Sequence, residues 1–387
     1  GATAKPEAMR MAPGNQVAGV DVNKWAITSR GFNSRVANKL LVMIDGRTVY
    51  TPSVSGVYWE VQDTVMEDIE RIEVIRGPGA TLWGANAVNG VINIITQNTI
   101  DIQGTLISAG AGTHEKAFGT LRYGSQINKD SYSKAYVKGF KRDNYEYLQG
   151  GDAGDDWSSF QTGGRYDSQF TINDQLTLQS DFYKTTISQI EDIPTLTPPY
   201  SIYSDKDNES NGANILARWQ HTTSLTSNYT LQAYFDYTSR DEAYADIRHN
   251  IFDLDFQHHF AMQQRHDIIW GLGYRFIDGN FDLAPGTILA PEDADEHLYN
   301  FFIQDEITLV ANQLWLTIGS KFEHNDYTDW EVQPSIRLFW NIDPKHKLWT
   351  AISNAVRTPS RYEYSSSLLF AAIAPATALN PTFFPHA

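Results

Sequence analysis

Several residue patterns in this chain could do chemistry, and each lacks a member. Gly79-Ala80-Thr81-Leu82-Trp83-Gly84 has the spacing of a phosphate-cradling loop, yet Ala85 and Asn86 stand where that loop needs Lys and Ser/Thr. Gly110-Ala111-Gly112 and Gly271-Leu272-Gly273 open dinucleotide-type patterns and stop short of the third glycine. His258 and His259 are neighbours in an alternating segment, so their rings point to opposite faces and cannot share one metal. The chain has no Cys, which removes thiolate ligands, disulfides and a cysteine nucleophile. Neither HExxH nor GxSxG occurs. Carboxylate clusters do occur: Asp152, Asp155 and Asp156 within 142–159, and Glu292, Asp293, Asp295 and Glu296 within 291–296. Such clusters could hold Ca²⁺ in outward loops, against the commoner reading as solvated surface. Covalent catalysis has no constellation here, which leaves non-covalent recognition.

The balance of charge narrows the partners. With 46 acidic against 30 basic residues the net charge is −16, which argues against a nucleic-acid partner. Aromatics reach 13%, with 20 Tyr, 19 Phe and 10 Trp, which suits β-structure and boundaries between water and an apolar phase. No run of 18 apolar residues exists, so no transmembrane helix is predicted; a transmembrane β-barrel keeps mean hydropathy low and stays open.

Two textures must position any recognition residues. Residues 1–100 mix signals: a short helix over 5–12, a strand over 40–44 ended by the turn Asp45-Gly46, and the segment 69–96, IERIEVIRGPGATLWGANAVNGVINIIT. There an amphipathic run leads into a loop with Gly77, Pro78, Gly79, Gly84 and Gly90, and a strand follows; this predicts a compact α+β unit whose loop tip touches something. Over 101–387 the period becomes two. Leu231, Ala233, Phe235 and Tyr237 alternate with Gln232 and Asp236, and Ile268, Trp270, Leu272, Tyr274 and Phe276 with Gly271, Gly273 and Arg275. Short turns near 128–130, 173–175, 227–228, 263–264, 312–313 and 343–344 alternate with longer polar excursions at 142–159, 188–210, 241–248, 279–296 and 323–330. Short loops at one end and long loops at the other are the wiring of an up-and-down outer-membrane barrel. About 13 strands fit between 101 and 357, and an odd count leaves an edge that a bilayer does not tolerate, so further wall is expected.

Ser29-Arg30-Gly31-Phe32, the turn Ile44-Asp45-Gly46 and residues 69–96 resemble the plug domain of TonB-dependent outer-membrane receptors. The stretches 300–309 (NFFIQDEITL), 314–323, 333–340 and 348–360 (LWTAISNAVRTPS) resemble that family's barrel strands in order. The resemblance implies a membrane all-β fold: an antiparallel transmembrane barrel of the 22-stranded type, about 13 strands of it here, with an N-terminal α+β plug inside. It implies binding and active import of a scarce nutrient complex, chiefly a ferric siderophore, otherwise cobalamin, haem or a glycan; a ligand-sensing signalling receptor is the alternative of another class. TonB would engage by strand addition through a box that these residues do not include. Three plug loops, 33–38, 50–59 and 81–87, are expected to face the extracellular vestibule, offering Arg35, Tyr50, Tyr58, Trp59, Trp83 and Asn86 to substrate. Rings plus a cation suit an anionic aromatic ligand such as a ferric catecholate. Arg30 and Arg76 are expected to latch the plug to barrel carboxylates, with Glu306 and Glu323 as candidate partners. The strand glycines at 110–112 and 271–273 are expected where the plug approaches the wall.

Overall fold

The computed structural model describes residues 5–31, 33–147, 149–195, 198–283 and 287–368. Phe32 of the Ser-Arg-Gly-Phe motif and the terminal stretch 380–387 lie outside the described residues.

The N-terminal unit opens with α1 (Lys5–Met9), shorter than the predicted 5–12, and the hairpin β1 (Asn15–Gly19) and β2 (Trp25–Ser29). A four-stranded sheet follows, built from β3 (Leu40–Ile44), β4 (Arg47–Thr48), β5 (Ile69–Arg76) and β6 (Gly90–Thr96), in the order β4-β3-β6-β5. The helix α2 (Ala80–Trp83) caps the glycine loop between β5 and β6. β6 reads as a nearly continuous apolar run because it is central and covered on both faces. Gly90 starts it where no side chain fits: a Cβ there would collide with the backbone carbonyl of Ile75. Asp45 and Gly46 both take left-handed φ, 49° and 84°, which closes the β3–β4 hairpin tightly. One face of the sheet packs a core of Met9, Ile27, Leu40, Val42, Val49, Trp59, Ile92 and Ile94.

The wall begins with β7 (Gly104–Gly110), β8 (Ala117–Asn128), β9 (Ser131–Arg142), β10 (Trp157–Ser168) and β11 (Asp174–Ile187). A small hairpin, β12 (Glu191–Pro194) and β13 (Ser201–Ser204), stands above it. Then come β14 (Asn208–Ser224), β15 (Ser227–Glu242), β16 (Ala245–Met262) and β17 (His266–Leu283). After the short β18 (Thr287–Leu289) the wall continues with β19 (Ala294–Val310), β20 (Leu314–Asn325), β21 (Asp329–Asn341) and β22 (Lys347–Ser353). The chain then forms α3 (Arg361–Ser365) and β23 (Ser366–Leu368), which pairs with β18. Thirteen strands, β7–β11, β14–β17 and β19–β22, make one antiparallel sheet in sequence order, and its edge strands β7 and β22 are not paired with each other among the described residues.

Burial in this sheet is inside out. Leu231, Phe235, Phe252, Leu254, Leu272, Ile303 and Ile318 are exposed on one face, while Arg122, Lys134, Arg165, Gln232, Asp236, Lys321 and Gln333 are buried on the other. Only a hydrocarbon surrounding makes that stable. Aromatic pairs edge the apolar band, Trp219–Tyr229 and Phe256–Trp270 toward the short turns and Tyr274–Tyr299 and His324–Trp330 toward the long loops.

Two expectations are corrected. The excursions predicted at 241–248 and 323–330 are tight turns, 243–244 and 326–328, because the flanking strands continue through them: β15 and β16 run to 16 and 18 residues, β20 and β21 to 12 and 13. A strand needs only about 9–11 residues to cross hydrocarbon, so the remainder projects as paired strand rather than loop. The glycines at 110, 271 and 273 make room for in-wall neighbours, not for the plug: Phe118, the Phe302 ring and the Asn300 amide would meet a Cβ there. The plug approaches instead at Gly319, where Thr81 would lie 2.9 Å from a Cβ, and at Gly84, beside Lys321 and Glu323.

Candidate functional site

The sheet encloses the N-terminal unit, and their contact is electrostatic with a predominant sign. Plug carboxylates meet inward-facing wall cations. Asp68, fully buried, pairs with Arg122 at 2.8 Å and Lys134 at 2.7 Å; Asp63 meets Lys138 at 2.6 Å; Glu60 meets Arg240 at 2.9 Å. The reverse sense occurs at Arg47 with Asp236. The Asp45-Gly46 turn docks the hairpin on the wall: Arg218 donates to the Asp45 carbonyl, Gln232 to the Gly46 carbonyl at 3.1 Å, and Gln179 to the Asp45 carboxylate at 3.0 Å. The same carboxylate accepts from Thr96 N–H and hydroxyl, tying the end of β6 to the turn.

These residues were not expected as the latch. Arg30 and Arg76 make no ion pair among the described residues; both are exposed, each lying over a plug glycine, Gly77 and Gly14 respectively. Exposed guanidinium groups carry little desolvation cost and demand no partner. Glu306 is exposed and unpaired in the same sense. Glu323 is buried and does meet the plug, accepting from the Ala85 N–H beside Lys321. The signal that would have found the pairs was available: cations at inward parity in β8, β9, β10 and β15, against acids in the plug loops.

At the long-loop end a narrow cleft opens between plug and wall. Tyr50, Pro52, Ser55 and Asn86 supply the plug side; Tyr234, Ile251, Arg275, Ile277, Glu296, Leu298 and Tyr327 supply the wall. Thr358 and Pro359, in the segment after β22, close one side. That segment is hooked to the plug. Asn86, held at φ 72°, donates its N–H to the Val356 carbonyl at 2.9 Å, and its side chain exchanges hydrogen bonds with Thr358, each 3.1 Å. Arg361 and Tyr362 donate their N–H groups to Pro52 and Ser53. The guanidinium of Arg275 sits at the floor, bonded to Asp253 at 2.8 Å, Tyr234 at 3.0 Å and Thr48 at 3.2 Å. Below that floor lies a larger polar cavity sharing Thr48, Tyr50, Asn86, Arg275 and Leu298 with the cleft.

Of the six residues expected to meet substrate, Tyr50 and Asn86 line the cleft. Trp83 lines the lower cavity and packs against Leu41, Met43, Ala87 and Val91. Tyr58 lies under the guanidinium of Arg240, 3.7 Å from it, and burial pushes its phenol up to about 12. Burial raises the Tyr50 phenol too, and its hydroxyl donates to the Asn38 carbonyl. Arg35 is half-buried near Tyr58, Glu242 and Tyr244, away from the cleft lining. Trp59 is corrected outright: at 6% exposure it belongs to the plug core, because the short turn Trp59–Val61 folds the loop inward. Among the described residues no group of three or more His, Asp or Glu side chains could hold a metal ion.

The comparisons agree with this geometry. A family model described as the TonB-dependent Receptor Plug Domain matches residues 1–91, and one described as TonB dependent receptor-like, beta-barrel matches residues 168–383. A vitamin B12 transporter, BtuB, of Vibrio vulnificus (strain CMCP6) is 33% identical over 121 residues, 30% of this chain and 19% of that protein. The siderophore receptor PirA of Acinetobacter baumannii shares the fold with a TM-score of 0.73 at 16% identity, over 94% of this chain and 60% of that one. A mutant of the ferric enterobactin receptor PfeA of Pseudomonas aeruginosa, solved with enterobactin, gives a TM-score of 0.68 at 17% identity, over 93% and 62%. The chain thus spans about three fifths of the length of these solved relatives. With its plug, its partial wall and matches over both, the chain belongs to the TonB-dependent receptors.

Proposed function

We propose that the protein acts in the bacterial outer membrane as a receptor that binds a scarce nutrient complex at the long-loop face and admits it past the plug. The observation that carries this reading is the cleft itself, walled jointly by plug apices and barrel strands and hooked to the plug through Asn86. Ligand bound against Tyr50 and Thr358 would press on the residues that hold the plug's apical loop. Work delivered by TonB, through an extended peptide on the N-terminal side of the plug, would then free the path along the lower polar cavity. The passage is gated and needs no covalent step.

Two nutrient classes have support. The fold neighbours include siderophore receptors, which favours a ferric chelate, and the sequence relative is a vitamin B12 transporter, which favours a corrinoid. The full-length receptor, expressed in a strain lacking its own receptors, is expected to give TonB-dependent uptake of a labelled ferric chelate or of cyanocobalamin. Failure to accumulate any iron chelate, corrinoid, haem or glycan would refute the import reading.

A further inference from the structure

We infer that residues 356–363 occupy the nutrient's own seat on the plug apices, so that the nutrient binds by displacing this segment. The inference rests on the receptor reading above and adds how its site is regulated.

One short segment engages all three plug loops expected to face outward. Val356 and Thr358 hold Asn86 of the loop 81–87. The N–H groups of Arg361 and Tyr362 donate to the carbonyls of Pro52, at 3.1 Å, and Ser53, at 3.0 Å, in the loop 50–59. The Glu363 carboxylate accepts from the Asn38 amide of the loop 33–38 at 3.2 Å. These apical donors and acceptors are the groups a polar ligand would use, and the chain itself already satisfies them. They offer a ligand no net hydrogen bond until the segment leaves.

The segment holds itself together and bridges plug to wall. Glu363 also accepts from the Arg357 guanidinium and, at 2.9 Å, from the Ser360 N–H, while the Ser360 hydroxyl accepts from the Glu363 N–H and caps α3. On the wall side Arg361 donates to the Pro291 carbonyl and lies beside Glu296 and Tyr327 of the cleft. Tyr362 stands edge-on to Phe281 with ring centres 5.7 Å apart, and Tyr364 meets Tyr327 at 4.9 Å. Thr358 and Pro359 form one side of the narrow cleft, so a nutrient complex entering it meets the segment opposite Tyr50 and Asn86. A ligand that binds only the released state has its apparent affinity lowered by the fraction of receptor in that state. Its arrival frees the plug apices in the same event. The segment thus keeps the apices hooked while the site is empty and lets go when it is filled.

The test uses the full-length receptor, titrated by tryptophan fluorescence with cyanocobalamin, ferric enterobactin, a ferric trihydroxamate and haem. The chain has no Cys, and neither Asn38 nor Glu363 lines the cleft. The double variant Asn38→Cys, Glu363→Cys can therefore be closed by a short, reducible thiol-specific bridge that pins the segment in place. Bridging is expected to weaken binding of the recognised probe by at least about tenfold, and reduction to restore it. Glu363→Ala, which loosens the segment without removing a cleft residue, is expected to tighten the same probe about threefold or more. Equal affinity in the bridged and reduced receptor, or weaker binding by Glu363→Ala, overturns the displacement and leaves the receptor reading intact. Failure of the pair to bridge in the empty receptor overturns it too. Binding of none of these probes by the unmodified receptor, nor of any other iron chelate, corrinoid or glycan, overturns both.

Discussion

Lys5 shows how much a single residue can reveal when its surroundings are wrong for it. The residue is 1% exposed and its ammonium has no hydrogen-bond partner among the described residues, beside Trp25, Trp59 and Trp157, and burial pulls it down to about 7 from an ordinary 10.5. The folded state therefore disfavours the charged form. Between pH 7 and 10.5 the unfolded plug holds a proton that the folded plug has released, so stability rises with pH across that window. Below pH 7 both states are protonated and the full penalty remains. Lys5→Met is expected to stabilise the plug by a few kcal/mol at neutral pH and to flatten this slope. Urea unfolding of the plug, followed by tryptophan fluorescence at pH 6.5, 8 and 9.5 (values about the window), checks both. At this scale the sequence named Tyr50 and Asn86 from their loops, but it could not tell Trp59 in the core from Tyr50 in the cleft. Both are aromatic residues in one loop, and which of them turns inward is set by a short helical turn without sequence signature.

Elements meet through buried pairs rather than apolar surface, and the strongest is centred on Asp68, which serves two wall strands at once. Asp68→Asn would leave Arg122 and Lys134 buried with their shared anion gone, which costs about 3–5 kcal/mol. Its plug is expected to unfold at lower urea and to become protease-sensitive while the barrel stays intact. Glu70→Gln, in an exposed pair with Arg71, is the control and should change stability by less than about 1 kcal/mol. The strands themselves were largely legible, because alternation is local: the run read from Ile268 to Phe276 lies within His266–Leu283. Their outer ends were not. Beyond the hydrocarbon both faces of β15, β16 and β20 carry polar groups, so the alternation that marks a strand fades and 241–248 and 323–330 read as loop.

The whole molecule is defined by reversed polarity, and that makes a depth-dependent prediction. Phe235, exposed on the outer face of β15 and opposite Phe252 and Ile215 in the neighbouring strands, sits in the apolar band. Phe235→Arg is expected to cost about 2–4 kcal/mol of folding into lipid vesicles, and Ser239→Arg, further out on the same face, less than about 1 kcal/mol. Equal costs at both positions would contradict a band bounded at that height.

By itself the sequence determined a great deal: period two over most of the chain, the Asp-Gly turn and the glycine loop specify a compact α+β unit followed by a lipid-facing sheet, and the resemblance implied that the first is a plug inside the second. Each of those signals is carried by residues close along the chain. The tertiary structure alone decided which charges meet, and that the plug brings mostly anions to wall cations. Those contacts join residues 54 to 189 positions apart, from Asp68–Arg122 to Arg47–Asp236. Such pairings follow from strand register and from how the hairpin tip enters the wall, and no local pattern encodes either.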